Sequence, residues 1–97
     1  MCTTAFDPDT NKIVVAYKQA SASSKAVIAT VSGTDVTFGT PAVLDSSTAG
    51  VEDIGLGYDT LNNKVIIAWR KSGSPYDCKV VVGTVSSNSI SFGSEAT

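Results

Sequence analysis

The chain contains itself twice, and this constrains its fold more than any other feature. Phe6-Asp7-Pro8-Asp9-Thr10-Asn11-Lys12-Ile13-Val14-Val15-Ala16-Tyr17-Lys18 aligns without a gap on Tyr58-Asp59-Thr60-Leu61-Asn62-Asn63-Lys64-Val65-Ile66-Ile67-Ala68-Trp69-Arg70. A second block, Lys25 to Gly39, aligns on Lys79 to Gly93. The offsets are 58 − 6, or 52, and 84 − 30, or 54, so the second copy carries two extra residues around Ser74 to Asp77. Replacements between the copies keep their character, aromatic for aromatic and branched aliphatic for branched aliphatic. A repeat of about 50 residues implies one supersecondary unit used twice, each copy covering an apolar face of its neighbour.

Each unit reads as short strands joined by turns. The first strand ends at Phe6 in copy one and spans Ile54 to Tyr58 in copy two, where Ile54, Leu56 and Tyr58 alternate with Gly55 and Gly57. Asp7 to Asn11 and Asp59 to Asn63 are rich in Asp, Asn and Thr, residues that bond their own backbone in turns. The second strand is Lys12 to Lys18, then Lys64 to Lys71. Its centre is apolar on both faces and rich in β-branched side chains, the pattern of a strand covered on two sides. The third strand is Lys25 to Val31, then Lys79 to Val85. Ser-Gly-Thr-Asp and Ser-Ser-Asn-Ser form tight turns into a fourth strand, Val36 to Phe38 and then Ile90 to Phe92. Ala42 to Leu44 extends the fourth strand of copy one. No segment has a helical period.

The fold class is therefore all-β, with two four-stranded antiparallel sheets. Residues 1–44 form repeat one, 45–53 the connection and 54–97 repeat two. Four strands in about 50 residues fit a blade of a β-propeller. A face-to-face β-sandwich is the alternative, and it predicts one wet face per sheet. Ile13-Val14-Val15 and Val80-Val81-Val82 lack that alternation. The run Asp-Pro-Asp-Thr-Asn-Lys, the aliphatic stretch with Ala-Tyr, and then Thr-Val-Ser-Gly-Thr and Phe-Gly-Thr-Pro resemble tandem propeller-type repeats. The resemblance implies fold and not activity, because propellers host many functions. Ser32 to Phe38 does not match the sialidase Asp-box, and the Gly-His and Trp-Asp signature of WD40 blades is missing.

Propellers have four to eight blades. Two units leave an apolar face open at each end, and large open apolar patches are rare on monomers. The expected partner is a second copy, in a cyclic homo-oligomer with the trimer favoured. The rival is that the chain is part of a longer repeat protein.

Composition narrows the chemistry. With no histidine among 97 residues, Ser-His-Asp and Cys-His catalysis and histidine metal sites are excluded within the chain. A net charge of −2 with 16% charged residues gives no basic footprint for nucleic acid. No apolar run reaches a membrane span, and the N-terminus, with no basic start and no apolar stretch, does not read as a secretory signal. These features predict a soluble protein of undetermined location. Cys2 and Cys78 lack metal or redox spacing, and free thiols are expected, a disulfide being the rival.

Asp7, Asp9 and Asn11 have the spacing that opens a calcium loop, but Lys12 and Lys18 occupy the positions that need Gly and Glu. A turn held by Asx hydrogen bonds is the better account. Glu52 and Asp53, with Asp45 nearby, read as a solvated loop rather than an acid–base pair. Tyr76 has no counterpart in copy one and lies beside Asp77 in the loop that differs between copies. Exposed aromatics beside polar groups suit recognition. Tyr76, Asp77 and Arg70 are therefore the candidate ligand-binding residues. The expected function is a non-catalytic binding or scaffold module without a cofactor, contacting protein. The alternative is a glycan-binding lectin that uses loop aromatics.

Overall fold

The structure, a computed structural model, describes residues 2–18, 24–45, 51–71 and 77–95. Among them are nine strands and no helix: β1 (Cys2–Asp7), β2 (Lys12–Lys18), β3 (Ser24–Ser32), β4 (Asp35–Phe38), β5 (Ala42–Asp45), β6 (Val51–Asp59), β7 (Lys64–Lys71), β8 (Asp77–Ser86) and β9 (Ser89–Phe92). The first sheet runs β1-β2-β3-β4, with β5 also on β3, and the second runs β6-β7-β8-β9. All pairings are antiparallel. β4 pairs with Ala29 to Ser32 and β5 with Ser24 to Ala26, so the two lie end to end in one lane beside β3. Ala42 onward does extend the fourth strand.

The repeat extends to backbone and hydrogen bonds. Asn11 and Asn63 both adopt positive φ, 58° and 55°, and so do Gly33 and Ser87, 62° and 57°. The Asp7 carboxylate accepts from the Asp9 and Thr10 amides and from Thr10 Oγ1. Asp59 does the same with the Leu61 and Asn62 amides and Asn62 Nδ2. Lys12 Nζ donates to Thr30 Oγ1 at 3.0 Å, and Lys64 Nζ to Thr84 Oγ1 at 3.1 Å. The Gly39 amide donates to the Ile28 carbonyl and the Gly93 amide to the Val82 carbonyl, at 2.8 and 2.9 Å.

Several strands run one or two residues beyond the sequence expectation, β8 for instance beginning at Asp77 and not Lys79, and one boundary differs by more. The first strand of copy two begins at Val51, not Ile54. Val51 and Glu52 pair with Lys71 and Arg70 beyond a register shift at Asp53, whose φ is 54°. A bulge adds a residue to one strand and breaks the period of two, so alternation reports the strand only from Ile54 onward.

Successive side chains on a strand point to opposite faces, and directly paired residues share a face. The register therefore assigns each face. In the first sheet, Val14, Ala16, Ala26 and Ile28 share one face and are fully buried. In the second sheet, Val65, Ile67, Trp69 and Val81 share one face and are at most 3% exposed. These two faces form one core cluster with Leu44, Ile54 and Ile90. The two faces are not the repeat equivalents of each other. Val14 and Ala16 match Ile66 and Ala68, on the far side of the second sheet. Val65, Ile67 and Trp69 match Ile13, Val15 and Tyr17, on the far side of the first. The sheets thus stack with unlike faces in contact.

The two sheets approach tightly at Gly39. A Cβ there would overlap the Asn88 carbonyl oxygen and lie 2.8 and 2.9 Å from the Asn88 carbonyl carbon and Cβ. Only a residue without a side chain permits this approach.

Candidate functional site

Stacking unlike faces leaves two outward surfaces. The outward face of the first sheet carries Phe6 from β1, Ile13, Val15 and Tyr17 from β2, Val27 and Val31 from β3, and Val36 and Phe38 from β4. Seven large apolar residues are exposed among those described, and five of them (Phe6, Val31, Val36, Phe38 and Val43) belong to this face. Such clustering, unlike scattered apolar residues, marks a contact surface. The face is concave at its centre. Cys2, Val15, Tyr17, Val27 and Phe38 line an open depression of about 250 Å³.

Matched positions show how unusual this exposure is. Val36 is 53% exposed, whereas its counterpart Ile90 is 6% exposed. Val15 and Tyr17 are half-buried, while Ile67 and Trp69 are buried. Val27, at the centre of the face, is 5% exposed against 3% for its counterpart Val81, so the contrast lies in the edge strands and strand ends.

The outward face of the second sheet is narrower in side chain. It carries Gly55 and Gly57, then Ile66 and Ala68, then Val80 and Val82. A Cβ added at Gly55 or Gly57 meets nothing within 4 Å. Val82 is 43% exposed, where its counterpart Ile28 is fully buried. Both cysteines are free and exposed. Cys2 lies on the first outward face, opposite Tyr17, and Cys78 on the second, opposite Arg70.

The residues singled out by sequence are distributed as follows. Tyr76 lies outside the described residues. Asp77 opens β8 opposite Lys71, one position from the Arg70–Cys78 pair. Arg70 Nη2 lies 3.3 Å from Asp53 Oδ2 at the exposed edge of the second sheet. Asp45 ends a strand of the first sheet and Asp53 lies in the bulge of the second, so the acidic trio is divided between sheets. Asp7 is 2% exposed and both its oxygens serve the turn, whereas Asp9 and Asn11 are exposed. No three His, Cys, Asp or Glu side chains among the described residues are grouped to hold a metal ion. No helix among them is long and apolar enough to cross a membrane.

The titratable groups held away from their ordinary values lie in and beside the two Asx turns. Burial opposes ionisation of Asp7, but bonds from Thr10, the approach of Tyr58 and the Asp9 and Thr10 amides outweigh it and hold its pKa below 3.8. The Asn62 side chain and amide likewise lower Asp59. The Tyr58 hydroxyl is buried without a hydrogen bond of good geometry. Burial, with Asp7 beside it, pushes its pKa up to about 12.

The sequence implies an apolar face open at each end but places the candidate ligand-binding residues on the loop around Tyr76, because binary patterning cannot tell which apolar face is covered and which is open. The size contrast was legible: Ala16 and Ala26 are small where the opposite face carries Tyr17 and Phe38. Comparison with protein-family models, curated proteins and solved structures finds no match.

Proposed function

We propose that the chain is a non-catalytic interaction or scaffold module that acts by burying the outward face of its first sheet against protein. The observation that carries this is the contrast at matched positions, with Val36 open and Ile90 covered. Burying apolar area contributes about 25 cal/mol per Å², so a face of this kind is driven toward a protein surface. Its lining offers one thiol and one phenol and no acid–base pair, a chemistry suited to packing and not to turnover.

The test uses an apolar dye and a glycan array. Dilute protein should bind bis-ANS, and Phe38→Ser should weaken that binding while leaving the far-UV spectrum unchanged. Dye binding indifferent to Phe38→Ser would refute the assignment of this face. Saturable binding to a glycan would favour the lectin alternative, and its loss in Tyr76→Ala would place the sugar at that loop.

A further inference from the structure

We infer that the occupant of this face is a second copy of the chain, seated head to tail through the outward face of its second sheet. This rests on the first sheet's outward face being a contact surface, and it names what covers it.

The joint inside the chain is the template. It places the small-residue face of one repeat on the aromatic face of the other. The two faces left open are the missing halves of that same joint: an aromatic face on the first sheet and a small-residue face on the second. Phe38 and Val36 stand where Phe92 and Ile90 stand, and Ala68 and Val82 where Ala16 and Ile28 stand. The replacements keep apolar character and trade size: Tyr17, Val15 and Val36 are smaller than Trp69, Ile67 and Ile90, and on the facing side Val80 and Ile66 are larger than Ala26 and Val14 while Val82 is smaller than Ile28.

The template also fixes the register. Within the chain Gly39 lies tightly against Asn88. Their repeat counterparts are Gly93 and Thr34. A Cβ at Gly93 finds no heavy atom nearer than the Val82 carbonyl oxygen, 3.8 Å away in its own sheet. This glycine has no steric need within the chain, and the joint between copies supplies one: Gly93 of one chain lies against Thr34 of the next. Cys2 and Cys78 become reporters, because their counterparts Ile54 and Ser24 are 8% and 1% exposed in the template. A contact between unlike faces repeats from chain to chain and closes only as a ring. With two repeats per chain, rings of two to four chains match the usual unit number of such stacks, about four to eight.

Light scattering on purified chain tests this. The unmodified protein should form a discrete multimer of the 10.0 kDa chain. Val36→Lys and Val82→Lys replace exposed residues on the two faces, so each should stay folded by circular dichroism and run as a monomer. Each variant keeps one good face, so mixing them should give a two-chain complex that neither forms alone. Gly93→Val should also be monomeric. Cys2 and Cys78 should both be slow toward Ellman's reagent in the multimer and fast in the single variants. A multimer that survives Val82→Lys with Cys78 still reactive overturns the head-to-tail joint and leaves the contact-surface proposal standing. A monomeric unmodified chain whose dye binding still responds to Phe38→Ser has the same consequence. A monomeric chain whose dye binding does not respond removes both.

Discussion

Gly39 and Gly93 form a matched pair whose members should respond oppositely to one added methyl group. At Gly39 the new Cβ would collide with the backbone of Asn88, in the turn between β8 and β9. The obstacle is main chain, so relief requires the two sheets to part locally by about 1 Å, a gap that forfeits up to half of each affected dispersion contact. Overpacking costs about 1–3 kcal/mol, and a backbone obstacle puts Gly39→Ala at the upper end. Restricting the unfolded chain returns about 0.4–1 kcal/mol, leaving a net loss of about 2 kcal/mol. Gly93→Ala meets only the Val82 oxygen at 3.8 Å and keeps that return, so it should be neutral or stabilising by up to about 1 kcal/mol. Trp69, the sole tryptophan and 1% exposed, reports unfolding by fluorescence. With a urea slope of about 1–1.5 kcal/mol/M, the midpoints of the two variants should differ by about 2 M. Urea melts at two protein concentrations separate folding from any association. Equal midpoints for the two alanine variants would refute the close approach of the sheets at Gly39.

Stability should fall at both pH extremes for identifiable reasons. Asp7 and Asp59 are held below the ordinary 3.8, so their contribution is present above pH ~4 and lost as pH falls through their folded values. Tyr58 is raised to about 12, so its contribution is complete below pH ~10 and lost as pH rises above that. Thermal melts should show Asp7→Asn flattening mainly the acid arm and Tyr58→Phe mainly the alkaline arm, each with a smaller effect on the other arm because the two groups shift one another. Ser87 holds φ 57° where the first repeat has Gly33. Ser87→Gly should therefore stabilise by about 0.5 kcal/mol, the αL penalty of about 1–2 less the entropic cost of glycine, read as a higher urea midpoint. The Arg70–Asp53 pair is exposed, with side chains 44% and 74% accessible. A double-mutant cycle should give a coupling of about 0.2–1 kcal/mol that shrinks in salt.

The strands were legible because turn chemistry and aliphatic runs mark their ends. Lys12 to Lys18 and Lys64 to Lys71 coincide with β2 and β7, each entered from a turn closed by an Asx network. The start of β6 was not legible, because a bulge at Asp53 hides Val51 and Glu52 from any test of alternation. The candidate site was legible in part. An open apolar face follows from two repeats that do not enclose each other, but which face is open depends on how the sheets stack. That is decided by contacts such as Gly39 against Asn88, residues separated by half the chain and bearing no local mark of their meeting.

The stacking of unlike faces accounts for why the two copies have kept similar interiors despite different surroundings. In a sandwich related by a twofold axis, like faces would meet inside and like faces would be wet outside, and each central strand would alternate. Here the aromatic face is buried in copy two and open in copy one, yet Phe6, Tyr17 and Phe38 keep the aromatic character of Tyr58, Trp69 and Phe92. The small-residue face is buried in copy one and open in copy two, yet Ala68 and Val82 stay apolar. Water contact alone would favour polar residues at Val36 and Val82. Their apolar identity is what the proposed joint between copies requires, because in it each of these two repeats presents both faces to a neighbour.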